Sequence, residues 1–220
     1  MSLSAIRSKT KLKPPKLVLY GGAGIGKTSF AASMNKPIFV LTEDGMGKVQ
    51  CDHFPVAKDY DEFISNLNSL LNEDHEFSTV CIDSLDWAEP LLWEKVCTIH
   101  GKKSIEEFGY GRGYVEALKL WREYIDILNL LRDEKKMTII QIAHSQIKRF
   151  ESPEIEAYDR YELKLHRKAS DLILEQPSSD ASNTATSESL PLLPLEELEK
   201  QMIQKALAQF NGNVVAAGEF

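Results

Sequence analysis

The stretch Leu17–Phe30, LVLYGGAGIGKTSF, places four glycines, a lysine and a threonine directly after an apolar run. Ordered glycine costs backbone entropy, so this cluster indicates that the chain needs backbone conformations closed to other residues. Residues 21–28, GGAGIGKT, fit the pattern G-x-x-x-x-G-K-[ST] without a mismatch. The pattern lies between a predicted strand and a predicted helix, which is the setting of a loop that binds the phosphates of a nucleoside triphosphate.

Each part of this motif has a physical role. Glycines let backbone N–H groups approach phosphate oxygens, and the following helix points its positive end at the same anion. Lys27 is expected to place its charge at the β- and γ-phosphates, and Thr28 to offer a hydroxyl ligand to Mg²⁺. The alternative, a glycine-rich turn with a surface lysine, leaves the complete pattern unexplained. The predicted nucleotide-binding residues are Gly21, Gly22, Ala23, Gly24, Ile25, Gly26, Lys27, Thr28 and Ser29.

Hydrophobic periodicity predicts an α/β fold of the P-loop NTPase type, with a parallel sheet flanked by helices on both faces. The segment 162–175 fits either a strand followed by a helix or a strand throughout. The predicted strands are 16–20, 37–42, 78–83 and 137–143, and the predicted helices are 26–34, 59–71, 86–100 and 114–132.

The chain divides into four segments by composition. Residues 1–15 form a basic arm, which fits either contact with a phosphate backbone or a disordered solubilising terminus. Residues 16–175 form the core, and residues 176–190 are linker-like because apolar side chains larger than alanine are nearly absent. Residues 191–220 predict a short helical tail.

Composition and cysteine usage indicate which cellular compartment the protein occupies. Its 220 residues are 43% hydrophobic and 27% charged, with no apolar run near the roughly 20 residues of a membrane span. No membrane partner and no secretory signal are therefore expected. The three cysteines show no metal-ligand spacing, which indicates reduced thiols in a cytoplasmic protein. The net charge of −7 leaves nucleic-acid binding open, because local basic surface is compatible with it.

Acidic residues follow two of the predicted strands. Asp83 ends the strand VCID and is the predicted second Mg²⁺ ligand; its alternative role is to cap the next helix, which Ser84 or Asp86 would do equally well. Many P-loop ATPases place a catalytic glutamate directly after that aspartate, whereas this chain has Ser84. Glu43, in TEDG after the second strand, is expected at the carboxyl edge of the sheet, where ligands bind in open α/β folds.

With this arrangement the chain resembles the phage nucleotide-binding P-loop ATPases, RecA-like proteins of the single-strand annealing type. The resemblance spans residues 11–175 and rests on LVLYGGAGIGKTSF, FVLTEDG, TVCIDSLDW, TIIQIAHSQIKRF and YDRYELKLHRKASDLI in that order. It implies an ATPase that needs ATP and Mg²⁺, assembles as a homo-oligomer on single-stranded DNA, and acts in recombination or replication. It also implies a cytoplasmic protein of a bacterial host or of a phage.

Catalytic roles follow from the resemblance by position. Glu43 becomes the base that activates water, with Asp44 as its rival and an acidic turn as the structural alternative. His144, just after the fourth strand, becomes the sensor of the γ-phosphate, with Gln141 and Ser145 as the alternatives. Lys27 joins them as a catalytic residue through its charge.

Two further segments have open interpretations. The polar stretch 146–161 corresponds to a mobile DNA-contacting loop of RecA relatives, but read alone it is a solvated loop. Lys164, His166 and Lys168 alternate, so on a strand they would share one face. The resemblance to RecA-like proteins implies that basic residues of this region reach a neighbouring subunit's γ-phosphate. The alternative is an ordinary basic edge strand.

The C-terminal segment resembles the start of a Fis-type helix-turn-helix and ends before a recognition helix, so sequence-specific DNA binding is not expected. The chain is then either a natural short form or a truncated or fused product whose core lacks its last strands. The alternative function is a nucleotide-dependent binding or regulatory module without significant hydrolysis. A small-molecule kinase is a weaker alternative, since Arg112 in FGYGRGY is the sole arginine of a conceivable lid.

Overall fold

The computed structural model describes residues 13–152 and 155–174, without the side chains of residues 150–152 and 155–158. The predicted linker and helical tail, and most of the predicted basic arm, lie outside the described residues. The strands are β1 (Lys16–Gly21), β2 (Pro37–Leu41), β3 (Asp52–His53), β4 (Thr79–Asp83), β5 (Thr138–Ser152) and β6 (Ile155–Leu163). The helices are α1 (Lys27–Ala32), α2 (Tyr60–Asn72), α3 (Leu85–His100), α4 (Arg112–Asp133) and α5 (Arg167–Leu174), and a 3₁₀ turn spans Ile105–Phe108.

The strands form one twisted sheet in the order β1-β5-β4-β2-β3, and all neighbours in this order are parallel. Register places Gly21 opposite His144, and Leu41 opposite Asp83. The carboxyl ends of β1, β2 and β4 therefore meet at one edge of the sheet. The predicted α/β fold with a parallel sheet flanked by helices is confirmed.

Side chains along the central strands alternate between two apolar layers. In β4, Val80 and Ile82 pack with α2, α3 and α4, whereas Cys81 packs on the opposite face with Ala31 of α1. All of these are fully buried. For this reason the buried strands of a parallel sheet have nearly continuous apolar sequences. Such sequences indicate that helices cover both faces of the sheet.

Helix α2 shows how local sequence sets an element boundary. The Asp59 side chain accepts a hydrogen bond of 2.8 Å from the Glu62 N–H at the helix start. The Glu62 carboxylate accepts one of 3.0 Å from the Lys58 N–H. These reciprocal bonds pair backbone donors at the start of the helix, and α2 begins at Tyr60, one residue after the predicted start at 59.

The prediction of a loop over residues 146–161 is wrong. Strand β5 continues to Ser152 and pairs antiparallel with β6, with Ile147 opposite Tyr161. The β5–β6 hairpin is exposed at Ile147 and Tyr161, and Lys148 Nζ lies 3.5 Å from Glu162 Oε2. Because its described part is largely solvated and stabilised by cross-strand charge pairs, it lacks the apolar signal by which strands are predicted.

The strand geometry predicted for Lys164, His166 and Lys168 is also wrong. Strand β6 ends at Leu163 and α5 begins at Arg167, so Lys168 lies on a helix. The buried positions explain the switch, since their spacing changes from two residues to four. The series is Leu163, Leu165, Ala169 and Ile173. The alternative of a strand followed by a helix over residues 162–175 describes this segment correctly.

Strand β1 lies at an edge of the sheet formed by the described strands, where it pairs with β5 alone. Its side chains are only partly buried, and Tyr20 is 43% exposed, in contrast to the fully buried β4. Among the described residues, no helix combines the length and apolar character needed to cross a membrane.

Candidate functional site

The glycine-rich loop connects β1 to α1 and takes a shape that only glycine adopts readily. Gly24 has φ +77° and Gly26 has φ +92°, both in the left-handed region that strains other residues. Lys27 Nζ donates hydrogen bonds to the carbonyl oxygens of Gly21 at 3.1 Å and Gly22 at 2.7 Å. The loop therefore curls around the ammonium group of Lys27.

Thr28 and Asp83 form a pair of oxygen ligands beside the loop. Thr28 Oγ1 donates a hydrogen bond of 2.8 Å to Asp83 Oδ2, which joins the start of α1 to the end of β4. Asp83 is 3% exposed, and burial raises the pKa of its carboxyl group, opposed by the bond from Thr28 and by the charges of Lys27 and His144. Cations at this position would favour the ionised carboxylate.

Thr28 and Asp83 are suitable ligands for a Mg²⁺ ion that is held partly by the protein and partly by a bound nucleotide. Magnesium prefers oxygen ligands and is usually held by one or two carboxylates together with substrate phosphates and water. Within residues 13–152 and 155–174, the structure has no cluster of three or more His, Cys, Asp or Glu side chains arranged for a metal ion. A hydroxyl and one carboxylate suit a metal whose remaining ligands come from a nucleotide.

Glu43 is held by the residue that follows Asp83. The Ser84 hydroxyl donates a hydrogen bond of 2.6 Å to Glu43 Oε1. Thr42 Oγ1 donates to the Ser84 carbonyl at 2.6 Å and accepts from the Ser84 N–H at 2.9 Å, which locks the two strand ends together. Asp44, the predicted rival of Glu43, is exposed and does not line the cavity beside the loop.

His144 is held by a buried carboxylate. It lies within β5, at the last residue paired with β1. Asp86, in the first turn of α3, accepts a hydrogen bond of 2.9 Å from the His144 N–H, and its two oxygens lie 3.1 Å and 3.0 Å from His144 Nδ1. Glu43 Oε1 lies 4.0 Å from the same nitrogen. Two carboxylates thus lie near Nδ1 of the imidazole, and Asp86 is its hydrogen-bond partner.

These groups surround one cavity of about 310 Å³ at the carboxyl edge of the sheet. The structure brings Lys27, Thr28, Glu43, Asp83 and His144 together there, as the sequence predicts. Gly21, Gly22 and Ile25 belong to the loop but do not line the cavity. Its lining is Ala23, Gly24, Gly26, Lys27, Thr28, Ser29, Glu43, Gly45, Met46, Val49, Asp83 and His144.

The alternatives for His144 lie away from the cavity. Gln141 is buried in the core, where its Oε1 accepts a hydrogen bond of 2.9 Å from Tyr124. Ser145 begins the pairing of β5 with β6, opposite Leu163, and does not line the cavity.

The three residues predicted to act in trans also lie outside the cavity lining. The His166 ring stacks on Tyr114, with centroids 4.0 Å apart, and the His166 N–H donates to Glu89 at 2.9 Å and 3.1 Å. Desolvation and the charge of Lys168 lower the pKa of His166. Lys164 Nζ lies 3.8 Å from Asp86 Oδ2.

Five residues at the site escape prediction from the sequence. Gly45, Met46 and Val49 line the cavity, whereas Ser84 and Asp86 contact Glu43 and His144. The sequence suggests Ser84 or Asp86 as a helix cap, yet Ser84 at the N-cap position makes no side-chain bond to α3. No spacing along the chain signals contacts between residues so far apart.

Comparison with known families gives two matches to this chain. A family model described as an AAA domain matches residues 13–179, which is most of the chain. The protein therefore belongs to this family of AAA-type P-loop ATPase domains. A second model, described as a bacterial regulatory protein of the Fis family, matches residues 194–220. A search of curated proteins finds no match to the chain.

Proposed function

We propose that the protein is a Mg²⁺-dependent ATPase of the RecA-like phage type, and that Glu43 activates the attacking water. The observation that carries this proposal is the position of Glu43, which faces the same cavity as Lys27, Thr28 and Asp83. Hydrolysis needs a group that orients or deprotonates water next to the bound phosphates. Among the described residues that line the cavity, Glu43 meets that requirement best.

Each side chain has a distinct role in this proposal. Lys27 binds the β- and γ-phosphates through its charge, and Glu43 accepts the proton of the attacking water. His144 senses the terminal phosphate and distinguishes ATP from ADP. Thr28 and Asp83 would hold Mg²⁺, which neutralises phosphate charge when bound.

We assign single-stranded DNA as the partner and a homo-oligomer as the active form. Support comes from the resemblance to phage annealing-type ATPases and from the β5–β6 hairpin in the position of their DNA-contacting segment. Tyr161 on this hairpin is 69% exposed and offers a ring on which a base would stack. Because positive and negative charges of the hairpin nearly balance, we expect it to contact DNA by base stacking rather than through a strongly basic groove.

The experiment is steady-state ATP hydrolysis with Mg²⁺, with and without single-stranded DNA, for wild type, Glu43→Gln and Asp44→Asn. We expect DNA-stimulated turnover that Glu43→Gln abolishes while ATP affinity is kept. Asp44→Asn removes a neighbouring exposed acid and should match wild type. Equal losses in both variants would contradict the role of Glu43, and turnover unaffected by DNA would contradict the assigned partner.

A second candidate function is a nucleotide-dependent regulatory module without significant hydrolysis. The match of residues 194–220 to a Fis-family regulatory protein favours it. In that case ATP would alter assembly or partner binding, and Glu43→Gln would leave every measured property unchanged. The same experiment therefore separates the two candidates.

A further inference from the structure

We propose that Asp86 is a positioning residue, which fixes the tautomer and the ring orientation of His144 so that Nε2 accepts a hydrogen bond from a water that also donates to the terminal phosphate of the nucleotide. The inference rests on the proposed function for the use of His144. The arrangement of the two side chains is a separate claim that is measured without turnover.

The hydrogen-bond pattern determines which ring nitrogen carries the proton. An ionised carboxylate only accepts hydrogen bonds, and both Asp86 oxygens lie within 3.1 Å of His144 Nδ1. Nδ1 must therefore carry a hydrogen. In the neutral ring this leaves Nε2 as an acceptor, so its partner must be a donor. Phosphate oxygens only accept, and a water that donates to both Nε2 and the terminal phosphate meets this requirement.

The same carboxylate also fixes the orientation of the ring. Asp86 Oδ1 accepts from the His144 backbone N–H at 2.9 Å while the carboxylate holds Nδ1 of the same residue. Two attachments, one to the backbone and one to the ring, restrict the side-chain torsions of His144. Catalytic groups need such support because small misplacements cost large factors in rate.

The other neighbours of Asp86 and His144 do not account for this arrangement. Lys164 Nζ is 3.8 Å from Asp86, and its side chain is 59% exposed, so this ion pair is weak. Glu43 is 4.0 Å from His144 Nδ1, beyond hydrogen-bond distance. The Asp86 side chain is 2% exposed, and its strongest contacts are the ones to His144.

A buried acid in the first turn of a helix also interacts favourably with the helix dipole, which is a structural role. The experiment must therefore measure a property that does not depend on the stability of the helix. The tautomer of His144 is such a readout, since helix stability does not determine which nitrogen is protonated.

The experiment measures the His144 tautomer by nitrogen NMR of the full chain labelled with ¹⁵N-histidine, in wild type and Asp86→Asn. We expect the Nδ1–H form in wild type. In Asp86→Asn the amide oxygen keeps the backbone N–H and the amide NH₂ faces Nδ1, so the Nε2–H form should gain population. Asp126→Asn, an exposed acid on α4, is the matched control and should retain the wild-type tautomer.

Turnover gives the second readout. Removing a carboxylate behind a functional histidine costs about 10–100-fold at metal-bound histidines, and we expect an effect of this size on ATP turnover in Asp86→Asn. In a His144→Ala background, Asp86→Asn should cost nothing further, because it acts through the ring. ADP affinity should stay unchanged.

Three results would overturn the inference: an Nε2–H ring in wild type, an unchanged tautomer in Asp86→Asn, or independent losses from the two substitutions. If Asp86→Asn fails to fold, the wild-type spectrum still tests the inference, because an Nε2–H ring in wild type would overturn it. A wild-type protein with the Nδ1–H ring but no ATP turnover would refute the proposed function and leave the positioning of His144 by Asp86 supported.

Discussion

Ser84 stands at the N-cap position of α3, but its hydroxyl donates to Glu43 Oε1 at 2.6 Å and makes no bond to the helix. A serine cap contributes about 1 kcal/mol to a helix, so the chain forgoes a common stabilising contact at this position. The hydroxyl instead joins the ends of β4 and β2 at the cavity. This relationship places Glu43 where the proposed mechanism needs a base.

Ser84→Ala should lower ATP turnover and leave ATP affinity unchanged, because Glu43 loses its hydrogen-bond donor but keeps its charge. A single hydrogen bond is worth about 1 kcal/mol, which corresponds to about a fivefold lower rate. Steady-state hydrolysis and nucleotide titration measure the two quantities. Ser65→Ala, at an exposed position on α2, is the control, and an equal loss there would refute the specific role of Ser84.

Thr28→Ala should remove the gain in ATP affinity that Mg²⁺ provides, since the hydroxyl ligand is lost. Thr28→Ser keeps the hydroxyl and should behave as wild type. Titration with a fluorescent ATP analogue, in Mg²⁺ and again in EDTA, measures this gain. If Mg²⁺ increases the ATP affinity of Thr28→Ala, relative to EDTA, as much as it increases that of wild type, Thr28 is not a metal ligand.

Glu89 gives the fold a pH dependence that can be isolated. Burial raises the pKa of Glu89 from its ordinary value of 4.5 to about 7, opposed by the His166 N–H and reinforced by the charge of Asp86. Below pH 4.5 the carboxyl is protonated in both the folded and unfolded states. Between pH 4.5 and pH 7 the Glu89 carboxyl is ionised in the unfolded state but still protonated in the folded state. The stability that the protonated carboxyl allows at low pH therefore decreases as the pH rises through this range, and it stays lost above pH 7.

Glu89→Gln should therefore gain stability relative to wild type by about 2 kcal/mol between pH 5 and pH 8. Denaturant unfolding of both proteins at the two pH values measures the difference, and other titrating groups cancel in the comparison. Glu94→Gln, an exposed position on the same helix, should show no such trend. A Glu89→Gln difference that does not change with pH would contradict the raised pKa.

Amide exchange should show that β1 is less protected than β4. Strand β1 pairs on one side among the described strands, and β4 pairs on both. In parallel pairing, alternate residues bond to opposite neighbours, and the Ile139 N–H bonds to the Pro15 carbonyl. The Val18 and Tyr20 amides should then exchange much faster than those of Val80 and Ile82. Equal protection would mean that another segment covers the β1 edge.

Much of the site follows from short-range sequence pattern. The loop at residues 21–28 carries its own signature, and buried strands end visibly at Asp83 and before Glu43. Parallel strands bring such ends to one edge, so the meeting of Lys27, Asp83 and Glu43 is predictable. His144 follows in the same way, because its strand joins the same sheet.

The remaining features depend on contacts between distant residues. Ser84 and Asp86 act through Glu43 and His144, which lie 41 and 58 positions away in the chain. The β5–β6 hairpin is stabilised by cross-strand pairs that carry no apolar periodicity. The choice between a helix and a continued strand after Leu163 is decided only when the buried positions are known.

ATP turnover in Mg²⁺ by wild type and Lys27→Ala shows whether this P-loop domain hydrolyses ATP. We expect turnover in wild type and none in Lys27→Ala, with Lys102→Ala, a substitution of an exposed lysine, as active as wild type. Tight ATP binding by wild type with no turnover, in the presence or absence of single-stranded DNA, would contradict the proposed ATPase function.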